Sequence, residues 1–194
     1  MKAQPKLRIS ATAALALAIA CIGLPACTTT GPHDRGDYSS NRTSIDANVD
    51  ATLARLYDAA PASREMASRA AGVLVFPSVL DVGLVIGAEH GKGALRVNGV
   101  TVDYYSTSGG SFGIQAGAQT KAEVVLFMTQ DSLDKFRNSH GWTAGADATV
   151  AIANIGANGS LDTDTIRRPI VGFVMTNSGL MAGVSLEGSK FSKL

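Results

Sequence analysis

The chain has 194 residues, with 17 Lys and Arg against 16 Asp and Glu, 21 glycines and two cysteines. That length fits one domain with an appended segment. The near-neutral balance lacks the basic excess of a nucleic-acid binder, and two cysteines cannot build a disulfide framework or a thiolate zinc site.

The N-terminus carries Lys2, Lys6 and Arg8, then no charge from Ile9 to Ala26. This is the layout of an export signal. Leu24-Pro25-Ala26-Cys27 closes it and resembles the lipid-modification box of bacterial lipoproteins, which implies removal of residues 1–26 and acylation of Cys27. A plain secretory peptide cut after Ala26 is the alternative. A membrane span is disfavoured because Gly23 and Pro25 break the apolar run short of the ~20 residues a bilayer needs. Processing removes three basic residues and Cys21, leaving 14 basic against 16 acidic residues, a net charge of −2, and no internal disulfide. Thr28 after the cysteine resembles lipoproteins sent to the outer membrane. Residues 27–43 hold Tyr38 as their one large apolar group and read as a flexible tether.

The folded domain is expected over 44–194. Thr43-Ser44-Ile45-Asp46 has the form of a capping box, and Ile45, Val49, Leu53 and Leu56 follow at spacings of four, four and three, which predicts an amphipathic helix ending before Pro61. Pro61 suits the first turn of a second helix, running to about Ala71 with Met66, Ala67 and Ala70 inward. The period then becomes two. Strands are expected at Gly72 to Phe76, stopped by Pro77, at Val82 to Glu89, and at Ala94 to Val97, which turns through Asn98-Gly99 into Val100 to Tyr105. Val100, Val102 and Tyr104 are expected on one face, with Thr101, Asp103 and Tyr105 on the other. Further strands fit Ser111 to Gly117, Glu123 to Thr129, Ala146 to Ile152, Ile170 to Thr176 and Leu180 to Glu187, with one helix from Asp131 to Ser139. The fold class is α+β and mainly antiparallel β: a curled or barrel-like, glycine-rich sheet with two N-terminal helices and one intervening helix.

Apparent catalytic motifs fail on context. Gly109-Gly110-Ser111-Phe112-Gly113 matches a nucleophile elbow in spelling, with Asp131 or Asp134 and His140 in the right order, but strand is expected where the elbow requires a helix. Gly87-Ala88-Glu89-His90-Gly91-Lys92-Gly93 lacks the spacing and the hydroxyl residue of a phosphate loop. Histidines stand only at 33, 90 and 140, too scattered to predict a metal site. No enzyme activity and no cofactor are expected.

Four ordered blocks carry a family resemblance. Residues 71–77 (Ala-Gly-Val-Leu-Val-Phe-Pro), 109–119 (Gly-Gly-Ser-Phe-Gly-Ile-Gln-Ala-Gly-Ala-Gln), 145–148 (Gly-Ala-Asp-Ala) and 178–188 (Ser-Gly-Leu-Met-Ala-Gly-Val-Ser-Leu-Glu-Gly) resemble the signature segments of the SYLF domain. The resemblance implies a lipid-binding module, with phosphoinositide-binding and actin-binding relatives in eukaryotes and envelope lipoproteins among bacterial members. It places the family's lipid-binding helix at Ser44 to Ala60, where Arg55 is the one basic residue and Arg42 stands just ahead.

These readings converge on a non-catalytic envelope lipoprotein, lipid-anchored in the outer membrane and facing the periplasm or cell surface, whose partners are membrane phospholipids and not nucleic acid. The expected lipid contacts are an apolar stripe of Ile45, Val49, Leu53 and Leu56, with local charges from Arg42, Arg55, Lys92 and Arg96. Core packing is the structural alternative for that stripe. The alternative function is an envelope protein-interaction or stress and assembly scaffold.

Overall fold

The computed structural model describes residues 35–83, 86–112, 117–153, 162–181 and 184–194. The leader, Cys27 and residues 28–34 lie outside these.

Helix α1 spans Arg35–Ala59 and α2 spans Pro61–Arg69. The first begins earlier than its apparent capping box. Ser44 sits inside the helix, donating its hydroxyl back to the Asn41 carbonyl at 2.8 Å, and Asp46 turns to the sheet instead of to a helix end. Local polar residues imitate a cap, and a tertiary acceptor role for Asp46 wins.

Four long strands follow: β1 (Gly72–Gly83), β2 (Ile86–Val97), β3 (Val100–Phe112) and β4 (Gly117–Phe127). Helix α3 (Gln130–Asn138) is capped by the Thr129 hydroxyl, which accepts from the Ser132 amide. Then come β5 (Trp142–Thr143), β6 (Ala151–Ile152), a one-turn helix α4 (Thr163–Ile166), β7 (Ile170–Thr176), β8 (Gly179–Leu180) and β9 (Lys190–Lys193). The sheet order is β5-β9-β3-β2-β1-β4-β7-β6, with β8 paired to β7. Its pairings are antiparallel except β6 with β7. The sheet is curled into a half-barrel with helices on its N-terminal side, an α+β fold.

Several strand boundaries differ from the sequence expectation. Pro77 does not stop β1. It falls where the register with both neighbours shifts, between Val75 and Ser78 on one side and Phe76 and Val79 on the other, so its missing N–H costs no ladder bond. The span from Val82 to Glu89 is not one strand but the end of β1 and the start of β2, and residues 84–85 lie outside the described set. Ser111 to Gly117 divides in the same way between β3 and β4, with 113–116 undescribed. Only Ala151 and Ile152 of the strand expected from Ala146 pair in the sheet. Of Leu180 to Glu187, the described residues are strand only at Leu180, the end of β8, and 182–183 lie outside the described set. Apolar runs with glycine look alike whether they continue or reverse.

The Asn98-Gly99 turn does form as read, with φ of 52° and 79°. Beyond it a register shift between Leu95 and Arg96 breaks the simple alternation of β3, and Thr101 and Tyr104 both reach the same carboxylate on α1. Gly93 has a packing reason: a Cβ there would stand 2.0 Å from the Val75 carbonyl oxygen, where β1 and β2 close over the bulge.

Each face of the sheet carries a core. On one, Val73, Val75, Ala94, Val124 and Phe173 pack against Val49, Leu53 and Leu56 of α1 and Met66 of α2. On the other, Phe76, Phe127, Phe136, Trp142 and Phe191 stack, with ring centroids 4.7 Å apart for Phe127 and Phe136 and 5.5 Å for Trp142 and Phe191. The Arg35–Leu194 unit is compact and, among the described residues, holds both cores, which equips it to fold on its own.

Candidate functional site

The seam between α1, α2 and the β2–β3 turn leaves a groove of about 620 Å³. Its floor is apolar, from Leu53 and Ala54 of α1, Ala67 and Ala70 of α2, and Val73 of β1. Pro61 sets this geometry by starting α2 directly after the Ala60 break, so that α2 folds back beside α1 and their small residues leave room between them. The walls are ionic. Arg64 lays its guanidinium 4.5 Å above the Tyr57 ring. Arg96 pairs with Asp50 and donates to the Asp46 carbonyl at 3.3 Å, while its buried Nε has no hydrogen-bond acceptor among the described residues.

Two guanidiniums and one carboxylate therefore border an apolar trough. The hydrogen bond from Arg96 holds the Asp50 carboxyl below its ordinary range. Burial, the largest influence, raises the Tyr57 hydroxyl, with Arg64 opposing it. A partly neutralised Arg96 and a ring-stacked Arg64 can together accept a phosphate or carboxylate, and the floor can accept the first carbons of an attached chain.

Next to the groove, Asp46 ties α1 to β3. Its two carboxylate oxygens accept from Thr101 Oγ1 and Tyr104 OH, each at 2.8 Å, and Arg42 stands 5.1 Å from the centroid of the Tyr104 ring. Burial first, and then Asp46, raise the Tyr104 hydroxyl.

The residues expected to touch lipid are thus distributed. Val49 and Leu56 are fully buried, Leu53 is 9% exposed and Ile45 is half-buried, so the stripe faces the sheet in this state and only Leu53 shows in the groove. Arg96 lines the groove, and Arg42 lies at the Tyr104 tie. Arg55 is exposed beside Thr52, at 3.5 Å, and Lys92 is exposed on β2. Arg64 and Tyr57 were not singled out by sequence reasoning. They are seven positions apart across a proline, and their charges read as a solvated face; no local signal joins them.

Residues 108–193 match the family model Ysc84, described as Las17-binding protein actin regulator. Three of the four signature blocks, 109–119, 145–148 and 178–188, fall wholly inside the match. The match is consistent with a SYLF domain. SYLF domains are generally non-catalytic binding modules, with lipid or actin-related partners. No curated protein matches the chain. The match lies C-terminal to α1, α2, β1 and β2, so the residues that line the groove at the α1–α2 seam fall outside it.

Proposed function

We propose that this SYLF protein is a membrane-tethered, non-catalytic lipid-binding module of the cell envelope, anchored in the outer membrane through acylated Cys27 and binding anionic phospholipid at the α1–α2 groove. One observation carries the reading: an apolar floor bordered by Arg64 and Arg96, which suits an amphiphile with a negative head. Long basic clusters are not needed for this, since two guanidiniums converge on one place. Arg42, close to the Asp46 tie, adds local positive charge, as does exposed Arg55 on α1.

Flotation of the Arg35–Leu194 domain with phosphatidylglycerol, cardiolipin, phosphoinositide and phosphatidylcholine vesicles tests this. The anionic vesicles are expected to retain the domain, and Arg64→Glu to weaken retention about tenfold, a change of about 1.4 kcal/mol. Arg64 is exposed, so its loss leaves the cores intact. Equal binding to neutral vesicles, or an unchanged Arg64→Glu, would remove the groove from the account. No vesicle binding at all, together with a stoichiometric envelope protein on the purified domain, would favour the scaffold reading, in keeping with the protein-binding role in the matched family's description.

A further inference from the structure

Helices α1 and α2 cover only part of the sheet. They pack on Val73, Val75 and Ala94, and past the β1 bulge the same face continues uncovered through Ser78, Leu80 and Val82 of β1. The register places Ala88, His90 and Lys92 of β2 and Ala118 and Thr120 of β4 beside them, all exposed. Leu80 and Val82 are 48% and 49% exposed, high for aliphatic side chains in the middle of a sheet.

The pleat sorts charge in an unusual direction at this end. Asp81, Glu89, Lys121 and Glu123 share the opposite, inner face, where Glu89 accepts from Lys121 Nζ at 2.7 Å and from Ser189 Oγ at 2.6 Å. Among the described residues the outer face of β1, β2 and β4 holds no carboxylate; its formal charge is Lys92, joined at the β9 edge by Lys190, which the register places in the row of Leu80, His90 and Ser108. The sequence itself has no charged residue from 82 to 88 or from 104 to 120. A sheet face in water is ordinarily polar outside and apolar inside. Apolar outside with ions inside is the alternation of strands that face lipid.

We propose that this uncovered face, centred on Leu80 and Val82 with Lys92 at its border, is a second membrane contact that lies flat on an anionic bilayer. The inference rests on the lipid-binding reading but concerns a surface separate from the groove. Protein interfaces are anchored by aromatic side chains or arginine, and the described residues of this face contribute neither; its small residues instead let two aliphatic side chains sink among acyl chains while Lys92 meets phosphate.

The test compares the Arg35–Leu194 domain with Leu80→Thr/Val82→Thr, substitutions of exposed positions that keep strand-compatible shapes, on phosphatidylglycerol vesicles. Binding is expected to fall about tenfold or more with an unchanged thermal transition. Separately, Leu80→Trp is expected to be quenched by brominated phosphatidylglycerol, while Trp142, buried in the aromatic core, is not; this reading stands even where the double variant is unstable. Wild-type binding by a well-folded double variant, or an unquenched Trp at 80, overturns the proposal. If Arg64→Glu weakens binding under those conditions, the groove reading survives that failure. Concentration-dependent dimerisation lost in the double variant, with no quenching, would assign the face to a second copy and overturn the bilayer proposal.

Discussion

Glu123 is carried inside by the alternation of β4, fully buried, with Lys121 Nζ 3.1 Å from its Oε1 yet neither carboxylate oxygen in hydrogen-bonding geometry. Burial, the largest effect, pushes its carboxyl up to about 7, against the pull of Lys121. For an acid the raised folded value means that, between the ordinary 4.5 and about 7, the native chain holds a proton that the unfolded chain has released. Stability therefore rises as pH falls through that window. Lys121 does not oppose this. Burial lowers it, but Glu123 and Glu89 outweigh that and raise it above 10.5, so its contribution is lost only in strong alkali. Urea unfolding of the domain is expected to give a free energy larger at about pH 5.5 than at about pH 8 by on the order of 1 to 2 kcal/mol. Glu123→Gln should flatten the difference; an equal slope in that variant would place the titrating group elsewhere. Glu123 is visible in the sequence as a charged residue in an apolar strand, Glu-Val-Val-Leu-Phe, but Glu89, which shares Lys121 with it, lies on another strand, and Ser189, which donates to Glu89, is a hundred residues beyond Glu89.

Secondary-structure elements meet through the Asp46 tie, the most specific contact between α1 and the sheet. Asp46→Ala removes both acceptors at once, leaving the partly buried Thr101 and Tyr104 hydroxyls to find water. A loss of roughly 1 to 3 kcal/mol is expected, with amide exchange accelerated in α1 more than in β1; uniform acceleration would mean that α1 does not open as a unit. Such local opening is also the route by which the apolar stripe of Ile45, Val49, Leu53 and Leu56 could be exposed at a membrane. The periodicity of that stripe is legible because α1 buries one face, and Ile170–Thr176 is legible because a strand buried on both sides is a continuous apolar run. By contrast Gly-Leu-Val-Ile-Gly at 83–87 spans the end of one strand and the start of the next. Glycine permits either course, and pairing partners decide. Lys190–Lys193 is strand only because β3 and β5 flank it, with Phe191 opposite Thr107 and Trp142.

For the whole molecule, the proposed anchor and the proposed binding surface are separable. In the proposed reading, acyl chains on Cys27 contribute about 0.8 kcal/mol per buried methylene, an anchor independent of what the domain binds. Cys27→Ser is accordingly expected to release the protein from the membrane fraction in cells and to abolish palmitate labelling, while the isolated domain keeps its preference for anionic vesicles. Retention of the variant in the membrane fraction without palmitate label would shift the anchor to the domain itself. Among the described residues no helix is long and apolar enough to cross a membrane.

The sequence by itself determined what depends on near neighbours along the chain: the paired N-terminal helices broken at Pro61, the Asn98-Gly99 hairpin, the antiparallel class and the SYLF signature. Tertiary structure alone decided what depends on register: which strands continue through Pro77, which carboxylates turn inward with Lys121, and how Arg64 and Arg96 come to border one groove. Hydrophobic period and turn chemistry act over a few residues, whereas a bulge in β1 and the pairing of distant strands choose the face on which every later side chain falls.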